Sequence, residues 1–467
     1  MSRIATDICV IGGGSGGLSV AAGAVQMGAR VVLIEGHKMG GDCLNYGCVP
    51  SKALLARAKA AKASGPLEGD ARAERFAAAK DHVAAAIAAI APHDSVERFE
   101  GLGVQVIEGF ASFISPTEVE VNGQRITARR FVIATGSSPL VPPIPGLAET
   151  PHLTNETIFD VRQQPGHLLI IGGGPIGMEM AQAHVRLGSR VTVIEGMKAL
   201  GRDDPDAAAV VLDHLRAEGV EIIEDAMVEA VRGRSGAIEV EVKGGTVFHG
   251  TDLLVALGRT PNTARLDLDR AGVKHDRGTI RVGDDLRTTS KRVYAIGDVA
   301  GKGQFTHVAG YQGGVIIRSM LLGLPAKFRA DHIPHVTYTD PELAQIGLTE
   351  AQARKRFGAQ LEVIRVDWTE NDRAQAEGNT AGFQKVMVAR GRPVGVTLVG
   401  PGAGELLGIW ALAIANRLKM SAIAGTVLPY PTRGEIAKRA AGAYFSPRLF
   451  GNPWVKRAVG LVQRFLP

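Results

Sequence analysis

Apolar and polar positions follow two different periods along this chain, and each change of period marks a new part. Residues 8–11 (ICVI) and 31–34 (VVLI) are unbroken apolar runs, separated by a glycine cluster and a stretch whose apolar positions recur at helical spacing. A run, a glycine turn, a helix period and a second run predict one βαβ unit with buried strands. The order returns in HLLIIGGGPIGMEMAQAHVRLGSRVTVIEG, residues 167–196, so two such units are predicted. Between them, residues 51–99 are alanine-rich with helical periodicity, interrupted by the turn-like SGPLEGD, and predict two long helices. Residues 104–135 read as strands, VQVIEGFASFI, EVEVNGQRI and RFVIATG, with the Asn-Gly pair as a hairpin turn.

The Pro-rich SSPLVPPIPG then marks a boundary near residue 146. Beyond the second unit come short strands at 238–242 and 252–258, then GRTPN, and then RVYAIGDVAGKGQFTHVAGYQGG. From residue 332 strands alternate with amphipathic helices without a nucleotide turn, which predicts an α+β domain. The fold class is therefore α/β, with two Rossmann-like units and a C-terminal α+β domain. The expected boundaries are 1–146, 147–265, a return to the first domain over 266–331, and 332–467.

The glycine turns carry the first chemistry. Gly12, Gly14 and Gly17 match GxGxxG, a spacing that lets backbone approach a pyrophosphate at a helix N-terminus. Glu35 follows 18 residues after Gly17, where a carboxylate can accept a hydrogen bond from a ribose hydroxyl. One such match is weak, but Gly172, Gly174 and Gly177 repeat it and Glu195 follows by the same 18-residue step. Two dinucleotides are expected, one able to pass electrons to the other. Gly297 and Asp298, between a buried strand and a helix, offer a carboxylate to a cofactor hydroxyl, although an Asp there also serves as a helix cap.

Composition narrows the picture. The 467 residues are 45% apolar and 21% charged, ordinary for a globular chain of several domains. The net charge of +6 is spread among interleaved acids, which argues against nucleic acid. The chain runs from Met1 directly into the first strand with no leader pattern, and a cytoplasmic location is expected. Three cysteines exclude a four-thiolate zinc site, and no metal site is expected. Cys9 reads as a small buried hydrophobe. Cys43 and Cys48, five apart in GGDCLNYGCVPSK, read either as a redox pair or as two buried thiols.

The motifs GGGSGG, GGDCLNYGCVPSKAL, FVIATGSSP, IIGGGPIGME, ALGRTPN, VYAIGDVA, YTDPELAQIGLTE and PYPTRGE occur in this order over almost the whole chain. The chain thereby resembles the pyridine nucleotide-disulfide oxidoreductases, which include dihydrolipoamide dehydrogenase, glutathione reductase and mercuric reductase. The resemblance implies a homodimer joined through the C-terminal domain, with FAD in the first domain and a pyridine nucleotide in the second. It implies a Cys43-Cys48 disulfide, with Cys48 nearest the flavin, Cys43 meeting the substrate, and Lys52 paired with Glu179. It also adds Thr135, Gly136, Gly258, Arg259 and His307 to the cofactor-binding set, with Lys52 counted there as well. Lys52 lies one helical turn past Cys48, where its charge favours the thiolate. Glu195 suits a free ribose hydroxyl and points to NADH, while Lys198 and Arg202 leave NADPH open.

The chain departs from the family near its end. Lipoamide and glutathione enzymes place His-Pro before the final Glu, whereas here the segment runs Tyr430-Pro431-Thr432-Arg433-Gly434-Glu435. Tyrosine titrates near pH 10, far above a histidine, and is a poor base at neutral pH. Tyr430 and Glu435 remain the expected catalytic positions. A tyrosine here resembles mercuric reductases, yet those also carry a C-terminal cysteine pair, and this chain has no cysteine after Cys48. It also shows no N-terminal metal-trafficking cysteines. The expected acceptor is a small-molecule disulfide or a metal ion. The alternatives are a dihydrolipoyl dehydrogenase and a diaphorase-type enzyme reducing a quinone. The last residues, NPWVKRAVGLVQRFLP, place Trp454, Ala458, Leu461 and Phe465 on one helical stripe with Lys456, Arg457 and Arg464 off it. Such a helix either packs on its own domain or rests on an anionic membrane surface.

Overall fold

Burial on both faces accounts for the unbroken apolar runs. In the computed structural model, which describes residues 3–465, the strand Arg3–Ile11 lies inside a seven-stranded sheet. The order is Gln105–Glu108, Val31–Glu35, Arg3–Ile11, Gln124–Ile133, Glu118–Val121, Ser112–Ser115, and Val293–Ala295 also pairs with Gln124–Ile133. The pairings among the first four strands and that with Val293–Ala295 are parallel. The pairings of the last two are antiparallel. The Asn-Gly turn is a tight hairpin: Val121 pairs with Gln124 across Asn122 and Gly123, at φ 49° and 74°. Cys9 is fully buried in the sheet, and burial drives its thiol pKa up.

One sequence expectation fails here. The stretch VQVIEGFASFI is not one strand but two: Gln105–Glu108 extends the parallel sheet beside Val31–Glu35, and Ser112–Ser115 closes the antiparallel edge. Alternation of side chains looks the same in both, and only the partner strands differ.

The second glycine turn sits on a smaller parallel sheet, in the order Val220–Ile223, Arg190–Ile194, His167–Ile171, Asp252–Val255. An antiparallel sheet of Val228–Arg234, Ala237–Val242 and Val247–Gly250 packs with it into one core through Val231, Ile238 and Val240. Both sheets belong to one contact-dense unit, which takes in residues up to 197 and 219–329. The helices Cys48–Ala63 and Gly69–Ile90 fill the alanine-rich stretch.

The other unit comprises residues 198–218 and those from 330 onward. Its core is an antiparallel sheet in the order Pro334–Thr337, Glu342–Gly347, Arg392–Gly400, Phe383–Ala389, Leu361–Asp367. Trp368 and Trp410 are fully buried there, and each indole N–H is satisfied, by Val399 O at 2.8 Å and Gln384 Oε1 at 2.9 Å. Lys385 is buried against Asp204, Asp206 and Glu350, at 3.0, 2.9 and 2.8 Å. Burial alone would push its pKa down, but these carboxylates outweigh it and hold the ammonium charged. No helix among the described residues is long and apolar enough to cross a membrane.

A second buried lysine lacks that compensation. Lys80 is 1% exposed, donates to Ile158 O at 2.7 Å and lies over the rings of Phe76 and Phe159. Burial pushes its pKa down to about 7, against a smaller upward pull from Asp160. Because the folded value is below the unfolded one, the unfolded chain holds the extra proton between pH 7 and about 10, so stability rises with pH across that window. Lys80→Met should therefore stabilise the protein at pH 6, on the order of 1–4 kcal/mol, with the gain fading toward pH 10. Thermal unfolding at both pH values checks this, and an equal gain at each would contradict it.

Candidate active site

The cysteine segment is held against the first glycine turn by backbone. Gly40 N–H donates to Gly13 O at 2.9 Å, and Gly41, at φ 60°, comes so close that a Cβ on it would stand 2.8 Å from Gly14 Cα. Only glycine fits there. The short helix Gly41–Asn45 then carries Asp42 and Cys43, and the chain re-enters a helix at Cys48, the first residue of Cys48–Ala63. Both cysteines are free thiols, Cys43 half-buried and Cys48 exposed.

Several charges and dipoles meet at Cys48. Its Sγ lies 3.3 Å from the hydroxyl of Thr306, the first residue of helix Thr306–Leu321. Two helix N-termini, each with unsatisfied N–H groups, thus converge near one sulfur. The thiol of Cys43 also hydrogen-bonds to it, and Lys52 adds a positive charge one turn along. The hydrogen bond from Cys43 has the largest effect, and although crowding by neighbouring groups and the Asp42 charge oppose it, the Cys48 pKa falls to about 6. Cys43 moves the other way, because it supplies the proton in that bond and is itself partly buried. The surroundings thus favour the thiolate at Cys48 and the thiol at Cys43.

Lys52 is anchored in turn. Its Nζ donates to Glu179 at 2.9 and 3.2 Å, and Glu179 is 5% exposed on helix Pro175–Arg186, which opens at the second glycine turn. Asp42 anchors the other side, accepting from Arg259 Nη2 at 2.8 Å and from Asn155 Nδ2 at 3.1 Å. Arg259 also donates to Ser137 Oγ at 2.7 Å and Ser137 O at 2.6 Å, and Ser137 donates to Asp298. Burial pushes the Asp298 carboxyl up, opposed by Ser137 and Arg259. Arg259, expected to bind cofactor, here joins the segment bearing Cys43 to Asp298.

The two glycine turns answer whether dinucleotides fit. A Cβ on Gly17 would stand 1.8 Å from Gly12 O, and one on Gly177 would stand 2.0 Å from Gly172 O. The chain's own packing therefore demands the third glycine in each turn. The second glycine is different: Gly174 has nothing within 4 Å, and Gly14 meets only Gly41 Cα at 3.8 Å. Each opens onto space at a helix N-terminus, the place a pyrophosphate takes. Glu35 accepts from Gly13 N–H at 2.5 Å and His37 N–H at 2.7 Å, and Glu195 likewise from Gly173 N–H at 2.6 Å and Met197 N–H at 2.9 Å. Thr135 Oγ1 is buried without a hydrogen-bond partner among the described residues, beside Gly136 at φ 66°. Gly258 O accepts from Leu140 N–H at 2.9 Å, and Gly297 N–H donates to Gln312 Oε1 at 2.7 Å. The residues present fit a dinucleotide at each turn.

Tyr430 and Glu435 lie in the other unit. Tyr430 is 70% exposed, and its hydroxyl donates to Asp372 at 3.0 Å, which pushes the phenol pKa up further. Glu435 accepts from Thr432 N–H at 3.2 Å, satisfying backbone where helix Glu435–Phe450 begins. Its hydrogen bond goes to the backbone, and Tyr430 is oriented by Asp372.

Sequence reasoning missed Thr306, Asp42, Ser137 and Asn155. His307 was singled out, yet its neighbour Thr306 reaches the sulfur, while exposed His307 stacks on Phe305. No spacing rule ties residue 306 to residue 48. Asp42 did carry a signal, a carboxylate adjoining a reactive cysteine.

The family described as "Pyridine nucleotide-disulphide oxidoreductase" matches residues 6–313, and its dimerisation domain matches residues 333–441. A mercuric reductase of Acidithiobacillus ferrooxidans is 36% identical over 94% of this chain and 82% of its own length. A dihydrolipoyl dehydrogenase of Geobacillus stearothermophilus is 33% identical over 94% of this chain and 96% of its own. The Cu(II) complex of the HOCl-induced flavoprotein disulfide reductase RclA from Escherichia coli superposes with a TM-score of 0.85 at 28% identity, covering 95% of this chain and 99% of that one. With both its nucleotide turns and its C-terminal domain matched, the chain belongs to the pyridine nucleotide-disulphide oxidoreductases, flavoenzymes that use FAD and NAD(P)H.

Proposed function

We propose that this enzyme passes electrons from NADH through FAD and the Cys43-Cys48 pair to a soft metal ion or a small disulfide, with the metal ion favoured. The supporting observations are a Cys48 of lowered pKa beside a half-buried Cys43 whose pKa is raised and, in the other unit, a Tyr430 phenol whose pKa is also raised. FAD, when bound, supplies the two-electron link between the nicotinamide and the disulfide. The remaining work falls to side chains. Thr306, Lys52 and two helix N-termini receive Cys48 as a thiolate when the disulfide opens, and Cys43 takes up the proton.

The acceptor then divides by its need for a base. Attack of Cys43 on a disulfide requires its proton to leave first, and Tyr430 with a raised pKa serves poorly. A soft cation displaces that proton itself as it binds sulfur. The Cu(II) complex of RclA and the mercuric reductase relatives are consistent with this choice. We assign Gly12, Gly14, Gly17, Glu35, Thr135 and Asp298 to FAD. Gly172, Gly174, Gly177 and Glu195 go to the pyridine nucleotide, Glu195 favouring NADH because its charge repels a 2′-phosphate. The C-terminal domain, residues 332–467, carries the face of a homodimer.

In the two-electron-reduced enzyme, long-wavelength absorbance from the Cys48 thiolate beside the flavin should titrate with a midpoint near pH 6. Asp42→Asn should move that midpoint lower, since Asp42 raises the Cys48 pKa. A band that survives Cys48→Ser, or a midpoint above neutrality, would overturn the assignment. In a panel of lipoamide, glutathione disulfide, Hg(II) and a quinone, each with NADH and NADPH, Hg(II) with NADH should turn over fastest. Tyr430→His should raise disulfide turnover by about 10²-fold and leave Hg(II) turnover nearly unchanged. No gain on disulfides would remove the missing-base argument.

A further inference from the structure

The C-terminal helix Pro453–Phe465 has no buried residue. It is a defined helix, whose start is satisfied by Asn452 Oδ1 accepting from Trp454 N–H at 2.9 Å. At about 100° per residue, its apolar positions from Trp454 to Phe465 fall in one continuous arc of roughly 160°. Lys456, Arg457, Gly460, Gln463 and Arg464 occupy the rest. Trp454, Val459, Leu461, Val462 and Phe465 are between 48% and 74% exposed, and the adjoining Phe450 is 71% exposed. Among the described residues, no part of this chain covers the apolar face.

Charge identifies what covers the face. From Ile436 to the end of the chain there are six lysines and arginines and no carboxylate. Arg439 and Arg448 are paired with Asp372 and Glu362, whereas among the described residues Lys456, Arg457 and Arg464 meet no carboxylate. Arg457 and Arg464 lie instead against the rings of Trp454 and Phe465, at 5.1 and 5.6 Å. The three cations lie on the side of the helix away from the apolar arc, so a second copy of the same face would cover the arc and leave them without counter-charge. A bilayer with anionic headgroups offers the complementary surface, taking the apolar arc into the acyl boundary and the three cations into the headgroups.

We propose that residues 453–465 dock this enzyme in the plane of an anionic lipid surface. The tryptophans provide the readout. Of the three, Trp368 and Trp410 are fully buried and Trp454 is 74% exposed, so a change in emission on lipid reports Trp454.

The full-length holoenzyme is mixed with vesicles of phosphatidylcholine alone, or of phosphatidylcholine and phosphatidylglycerol in equal parts. Co-sedimentation should be roughly a hundredfold tighter on the anionic vesicles, weaken steeply with salt, and be accompanied by a blue shift of emission. Leu461→Asp should abolish binding and the shift, and the triple variant Lys456→Glu, Arg457→Glu, Arg464→Glu should remove the anionic preference. Both should keep turnover on a soluble acceptor and the parent's oligomeric state by ultracentrifugation. Equal affinity for both vesicles, or no binding to either, overturns the proposal. So does a Leu461→Asp variant that binds vesicles as the parent does but loses an oligomer.

Discussion

The ion pair of Lys52 and Glu179 joins residues 127 apart in sequence and sets the geometry on which the rest of the site depends. Glu179 is almost fully buried, so the pair is not a surface salt bridge of negligible worth; removing Lys52 would take its ammonium from a carboxylate in a poorly solvated place. Through it, the helix that begins at Cys48 is fixed against the helix that begins at the second glycine turn. The thiolate, the first nucleotide turn and the second are thereby held in one arrangement, with Gly41 pressed on Gly14 as the other clamp.

Around that frame, the hydrogen bond between two chemically identical side chains divides their work. Cys48 faces helix N-termini, a hydroxyl and an ammonium, and becomes the anion. Cys43 supplies the proton in the bond between the two sulfurs and is partly buried, and its pKa moves up. Asp42 is tied through Arg259 and Ser137 to Asp298, so a change at one end of this chain of contacts is felt at the sulfur. The second unit adds a contrasting set of solutions. Lys385 is buried with three carboxylates, Tyr430 is exposed and oriented by Asp372, and the apolar face of the final helix is exposed among the described residues.

Much of this was legible in the residues. GxGxxG followed by Glu at a fixed step appears twice, and the structure gives both turns the same contacts, down to the carboxylate accepting from the N–H of the glycine between the first two of the motif. The split of VQVIEGFASFI was not legible, because alternation of side chains is common to both pairings. Nor was Thr306, whose hydroxyl meets Cys48 only because two helices from distant parts of the chain start at the same point.

By itself the sequence determined most of the elements, the two nucleotide turns, the spaced cysteine pair and the amphipathic end, since each is a local pattern of residue types, while the resemblance to the family marked Tyr430 as standing where a histidine is expected. Only the tertiary structure brought Thr306 to Cys48, joined Asp42 through Arg259 and Ser137 to Asp298, and left the apolar face of the last helix exposed among the described residues. Those properties depend on distances between residues far apart in the chain, and electrostatic and burial energies are set by such distances rather than by order along the backbone.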